Sequence, residues 1–277
     1  MRSLLAWVVV FVVAVQFFAN LKHQRLEEAK AAAQREIRLQ EDRAYQQSVA
    51  ALKAADTQSG PRAGAIRLLL NDVIFNESQL HTLLGADNQR SAFFAYKLHG
   101  VEHATASAMG LDQRHHFVNA YLEGYSPFAT DNVFIPLSVL ARRKTYMLDE
   151  LNHGGEEVWQ TSRQAYLYTR GDCEDHAIAL ADWLIDMGED ARVALGKYDG
   201  GGHAWVVLIK DGQEFILEAT QKNGLGGLRR YPLASTLPKY EPQFQFNRTS
   251  FWANVGSTFT TSYRSSVWIE KSRYGAM

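Results

Sequence analysis

Cys173, His203 and Glu218 are the residue types that thiol catalysis uses, and they lie close enough in sequence to meet on one small unit of fold. Cys173 is the only cysteine among 277 residues. It stands in "TRGDCEDHAIALADWL", from Thr169 to Leu184. Gly171 breaks what precedes it, Asp172 is a good N-cap type, and Asp175 falls three positions later in an approximate capping box. The pattern predicts a helix from Cys173 to Met187, with Gly188 just past its end. Ala177, Ile178, Leu180, Ala181, Leu184 and Ile185 cover more than half its circumference, so the helix is central and buried. In the first turn, free N–H groups and the positive end of the helix dipole favour a thiolate. The same N–H groups could donate to an oxyanion. Asp172, Glu174 and Asp175 oppose the thiolate, so a histidine partner is required. The competing reading of a lone cysteine is a small buried hydrophobe.

The segments that follow supply the histidine. Asp190–Asp199, Gly200–Lys210 and Gln213–Thr220 read as three strands. Asp211-Gly212, between the last two, is the strongest short hairpin signal. With a two-residue turn Lys210 pairs with Gln213, Trp205 faces Glu218, and His203 faces Thr220. Glu218 then shares a sheet face with His203 and lies diagonal to it, within reach of a long side chain. A one-residue bulge would put the two on opposite faces. If this face packs on the start of the Cys173 helix, the histidine accepts the thiol proton and the carboxylate fixes its tautomer. Gly200 to Gly202 would let a substrate backbone come close. His176, one turn after Cys173, is a rival base without an orienting carboxylate from another element.

These elements need a scaffold. Leu4–Ala19 is apolar apart from Gln16, and as a helix its sixteen residues span about 24 Å. No small-x-small cleavage site follows it. The expectation is an uncleaved transmembrane anchor over 1–21. It would make the protein a single-pass inner-membrane protein with its catalytic domain in the periplasm. Asn20–Ala55 is rich in Ala, Glu, Gln, Lys and Arg, without Gly or Pro, and predicts a helical stalk over 22–58. A coiled-coil dimer through the stalk is the alternative. Thr57–Gly64 is a linker, and 65–277 is the globular domain. Within it, 65–125 reads mostly as helices, and "SVLARRKTYMLDELN" as another. His99, Glu102 and His103 follow the H-x-x-E-H order of an inverted zinc-protease motif, which on a helix would make a zinc hydrolase. The aromatic tail reads as strands and loops, with Trp252 packed in the sheet or lining a groove. A formal net charge of -1 argues against nucleic acid as a partner. One cysteine excludes an intrachain disulfide and a multi-cysteine zinc site.

"GDCEDHA", then "HAW", then "LEAT" resembles the transglutaminase-like cysteine peptidase superfamily. Val158–Asp175 resembles its Trp-containing lead-in, with Ser162 and Gln164 where Pro and Glu are usual. The resemblance covers residues 155 to 222. It implies an α+β, papain-like core with the cysteine at the start of a central helix packed on an antiparallel sheet. It implies Cys173 as nucleophile, His203 as base and Glu218, in place of the usual Asp, as orienting residue. The implied activity is hydrolysis of amide or peptide bonds in a protein or peptide substrate, through an acyl-enzyme. The alternatives are an acyl transferase or an inactive binding module at the membrane. No cofactor is required; some relatives bind calcium through acids flanking the cysteine, where Asp172 and Glu174 stand here.

Overall fold

A computed structural model describes residues 2–55, 60–84, 93–98, 101–155, 157–220 and 231–275. They fall into two compact units, Met1–Thr57 and Gln58–Met277. The first is a single helix, α1 (Arg2–Ala55), as expected of a stretch without Gly or Pro. The membrane anchor at 1–21 is overturned, and with it the single-pass inner-membrane placement. Among the described residues, no helix is long and apolar enough to cross a membrane. The apolar run is interrupted by Gln16, falls short of the ~20 residues a bilayer core requires, and continues unbroken into a charged helix.

The second unit runs β1 (Ala65–Leu68), β2 (Val73–Asn76), α2 (Glu77–Leu84), β3 (Phe93–Leu98), β4 (Val101–Met109), β5 (His115–Phe117), α3 (Phe134–Arg143), β6 (Thr145–Tyr146), α4 (Asp149–Asn152), α5 (Ser162–Leu167), β7 (Arg170–Gly171), α6 (Cys173–Asp186), β8 (Asp190–Tyr198), β9 (Gly201–Lys210), β10 (Gln213–Leu217), β11 (Tyr240–Phe246), β12 (Ser250–Asn254) and β13 (Trp268–Gly275). Eight strands form one antiparallel sheet in the order β10-β9-β8-β11-β12-β13-β1-β2. The α+β core is therefore as expected.

Helix α6 lies on one face of this sheet. Its Ala177, Ile178, Leu180, Ala181 and Leu184 share a core with Val193 and Leu195 of β8, Ala204, Val206 and Leu208 of β9, and Leu137 and Leu140 of α3. Leu180 and Leu184 are fully buried, so truncating either to Ala costs about 2–5 kcal/mol. The alternate strand positions, Ala194, Trp205, Val207 and Ile216, pack on the opposite face with Tyr240, Tyr263 and Trp268.

The β9–β10 turn is the two-residue one. Lys210 pairs with Gln213, and Asp211 and Gly212 have φ of 50° and 74°, the signs of a type I′ turn. Asp199 and Gly200, at 51° and 88°, close β8–β9 in the same way, so Gly200 serves the turn.

Three local expectations change. Residues 65–125 hold β1 to β5 and the short helix α2 rather than mostly helices. The Ala-rich "VEHATASAM" is strand β4 because it pairs with β3 and β5. Lys144 ends α3 with an extended backbone (φ −89°, ψ 146°) and buries its ammonium on the carbonyls of Ala165 (2.6 Å) and Tyr168 (3.3 Å), which breaks the helix expected through "SVLARRKTYMLDELN". Asp172 does begin α6, but its side chain does not cap it and no capping box forms. The capping box belongs to α5, where Thr161 and Gln164 exchange bonds.

Candidate active site

Strand β7 delivers the chain to α6. It pairs with β6 in parallel, setting Tyr146 beside Gly171. A Cβ at Gly171 would collide with the Asp175 side chain and come 3.0 Å from Lys144 Nζ, so glycine is required there. Cys173 follows two residues later as the first residue of α6, half-buried.

The structure brings Cys173, His203 and Glu218 together. The Cys173 thiol donates to Glu174 Oε2 (3.4 Å). Cys173 and His203 line the same cleft and interact electrostatically, and His203 Nε2 lies 2.7 Å from Glu218 Oε2. His203 belongs to the Trp205 set of β9, on the face away from α6, and its ring stacks on Trp205. It therefore meets Cys173 near the start of β9 rather than across the packed face. Glu218, just past the end of β10, is fixed from both ends. Thr220 N donates to Oε1 (3.1 Å), as does the Thr220 hydroxyl, and Tyr240 Oη donates to Oε2 (3.2 Å). Burial opposes charge on the imidazole, but its interactions with Cys173 and Glu218 outweigh this and hold the His203 pKa up at about 10. Burial likewise acts against the Glu218 carboxylate, and the His203 and Thr220 bonds prevail and lower its pKa. The arrangement is an imidazole ring held by a carboxylate and facing a sulfur.

Below the cysteine lies a group of buried acids. Asp149, Asp172 and Asp175 place oxygens within 4.8 Å of one another, as do Asp149, Glu157 and Glu174. Burial, reinforced by neighbouring carboxylates, pushes Asp149 up to about 9 and Asp175 up to about 8 and raises Glu174 well above its ordinary range. Burial also raises Asp172. Among the described residues, Asp149 Oδ1, Asp172 Oδ1, Glu174 Oε1 and Asp175 Oδ2 are buried without a hydrogen-bond partner. A set of converging, unsatisfied carboxylate oxygens fits a hard divalent cation such as calcium.

A cleft of about 270 Å³ opens over the site. Tyr146, Leu148, Trp159, Leu195 and Phe244 line it along with Cys173, Glu174, Gly202 and His203. Its acidic side includes Glu150, Glu157 and Asp172.

Other candidates are placed elsewhere. Glu102 and His103 lie on strand β4, not on a helix, so the zinc motif lacks its i, i+4 geometry; His99 is outside the described residues. His176 is buried on α6 against the ring of Tyr146. Trp252 packs in the sheet under Arg192, whose guanidinium lies 4.5 Å from its ring centre, and does not line the cleft. Ser162 and Gln164, which depart from the family lead-in, have local work: Ser162 donates to buried Asp182, and Gln164 closes the α5 capping box. Sequence reasoning missed Tyr146, Tyr240, Asp149 and Glu157. Tyr240 and Asp149 reach the site from other elements, and no spacing in the sequence signals that.

Residues 157–271 match the CEP76 peptidase-like domain. Centrosomal protein of 76 kDa from Mus musculus is 42% identical over 55 residues, which are 20% of this chain and 8% of that protein. The chain thus spans under a tenth of the length of the curated relative it matches. Among solved structures, calcium-bound LapG from Legionella pneumophila is 19% identical, with a TM-score of 0.36 over 50% of this chain and 77% of that one. EGTA-treated LapG is 16% identical, with a TM-score of 0.36 over 48% and 72%.

Proposed function

We propose that the protein is a thiol hydrolase of amide or peptide bonds that acts on a protein or peptide through a covalent acyl-enzyme. The observation that carries this reading is the His203–Glu218 pair, 2.7 Å apart, in the same cleft as Cys173 at the start of α6. His203 takes the thiol proton and remains as imidazolium, stabilised by Glu218. The thiolate adds to the carbonyl carbon, and the carbonyl π pair moves to oxygen. The tetrahedral centre collapses, the C–N bond breaks, and His203 gives its proton to the leaving amine. Water, deprotonated by His203, then cleaves the thioester. An amine in place of water would make the same site an acyl transferase.

Calcium fits beside this site: Asp149, Asp172, Glu174 and Asp175, with Glu157, would hold it, and its charge would offset the carboxylate repulsion beneath Cys173.

The test is alkylation of the folded protein by iodoacetamide near neutral pH. Cys173 should react faster than a free thiol peptide, and His203→Ala should abolish the excess. An unreactive Cys173 in folded protein would mean that the domain only binds a partner.

A further inference from the structure

Tyr146 lies on β6, with its Cα opposite Gly171, two residues before the nucleophile. It lines the cleft and is 43% exposed. Burial of its hydroxyl end raises the phenol pKa, and Cys173 is the strongest of the charges that raise it further, ahead of Asp172, Glu174 and Glu218. Tyr146 and Cys173 line the same cleft, and the β6–β7 pairing sets Tyr146 beside the residue two before the sulfur, so the protonated phenol faces the same space. Among the described residues, no bond commits this hydroxyl to another group. The other side-chain donors of the cleft differ: Trp159 Nε1 is spent on Glu157 Oε2 (3.2 Å), His203 Nε2 is held by Glu218 Oε2 (2.7 Å), and Gln243 stands on the exposed rim of the cleft on β11. Attack on a carbonyl creates an oxyanion next to the sulfur, and it needs donors placed in advance. The backbone N–H of Cys173, in the first turn of α6, is one.

We propose that Tyr146 is a catalytic residue, whose hydroxyl donates the second hydrogen bond to the oxyanion formed when the Cys173 thiolate adds to a carbonyl. This rests on the thiol-hydrolase reading. The C–S bond forms as the π pair moves to oxygen, and the oxyanion accepts from Tyr146 Oη and from Cys173 N. When the pair returns, the C–N bond breaks and His203 protonates the amine, so the tyrosine keeps its own proton throughout. A phenol with a raised pKa suits a donor that must not lose its proton.

Two reagents separate this role from that of the thiol itself. Iodoacetamide alkylates sulfur with loss of iodide and forms no oxyanion, whereas p-nitrophenyl acetate acylates it through one. Tyr146→Phe keeps the ring against His176, centroids 6.3 Å apart, and removes only the hydroxyl. The variant should release its burst of p-nitrophenolate about 10²–10³-fold more slowly than the unmodified protein. Its iodoacetamide rate should stay within about twofold, because the thiolate is untouched. Equal bursts in the two proteins overturn the proposal while leaving the thiol-hydrolase reading in place. So does fast alkylation with no burst in the unmodified protein, which would mean a thiolate without anion stabilisation. A matched loss in both reagents assigns Tyr146 to thiol activation instead. A Cys173 that alkylates no faster than a free thiol peptide overturns the underlying reading itself.

Discussion

Replacing Glu218 with glutamine tests the orientation of the base through a single group. The carboxylate accepts from Thr220 N and Oγ1 on Oε1, and from His203 Nε2 and Tyr240 Oη on Oε2. In Glu218→Gln the amide oxygen must take the Oε1 position, since both Thr220 groups donate there. The amide NH₂ then faces His203 Nε2. Two donors cannot share a bond, so Nε2 must present its lone pair and the ring proton moves to the nitrogen on the sulfur side. That nitrogen is then unable to accept the thiol proton, and the imidazolium loses its countercharge. A wrong tautomer of this kind costs about 10⁴-fold in turnover, equivalent to about 5.4 kcal/mol of barrier. Glu218→Asp keeps the charge but withdraws it by one methylene, about 1.5 Å, so it should fall between Glu and Gln. The assay is the p-nitrophenolate burst in all three proteins, with melting curves alongside. Both variants should remain folded, with melting temperatures within about 5 °C of the unmodified protein. Equal bursts in all three would refute the reasoning and mean that Glu218 does not orient the ring.

Two further outcomes follow from charge. Calcium should raise the melting temperature of the EGTA-treated protein: saturation at a hundredfold over Kd contributes about 2.7 kcal/mol, or about 5–10 °C for a domain of this size. Asp149→Asn should shrink this gain, and an unchanged melting curve with calcium would remove the cation from the acid group. His116 is buried between Glu77 (Nδ1 to Oε1, 3.0 Å) and Asp112 (Nε2 to Oδ2, 2.9 Å), and although burial opposes its charge, these bonds raise its pKa from 6.5 to about 9. A raised pKa contributes stability fully below pH 6.5 and loses it progressively as pH climbs through about 9, so His116→Asn should flatten the fall in melting temperature over that window. Parallel curves for the two proteins would show that the clamp is energetically silent.

The legible parts of the fold were those set by local chemistry. Asp211-Gly212 admits few turns, so the β9–β10 register, and with it the pairing of His203 with Glu218, could be read from residue order alone. The apolar face and Gly188 end of α6 were equally plain. What failed was decided at long range. Strand β1 exists because Ala65–Leu68 pairs with Ser272–Gly275 at the far end of the chain, which no window over 65–125 contains. Asp172 and Asp175 have capping types, but Asp175 Oδ1 accepts from Gln160 N (2.8 Å) and neither side chain caps α6. The acid group was half visible: Asp172 and Glu174 stood out beside the cysteine, while Asp149 and Glu157 come from another stretch. The first helix departs from expectation because its apolar run is short, holds Gln16 and passes directly into a charged stretch.

His203 and Glu218 sit on one hairpin, fifteen residues apart, closed by a two-residue turn. Such a unit assembles early, since hairpins form in about 1–10 μs and close little chain. The nucleophile, by contrast, arrives only when α6 docks on the sheet. A change that loosens the packing of α6 on the sheet would therefore part the sulfur from the imidazole while leaving the hairpin pair intact.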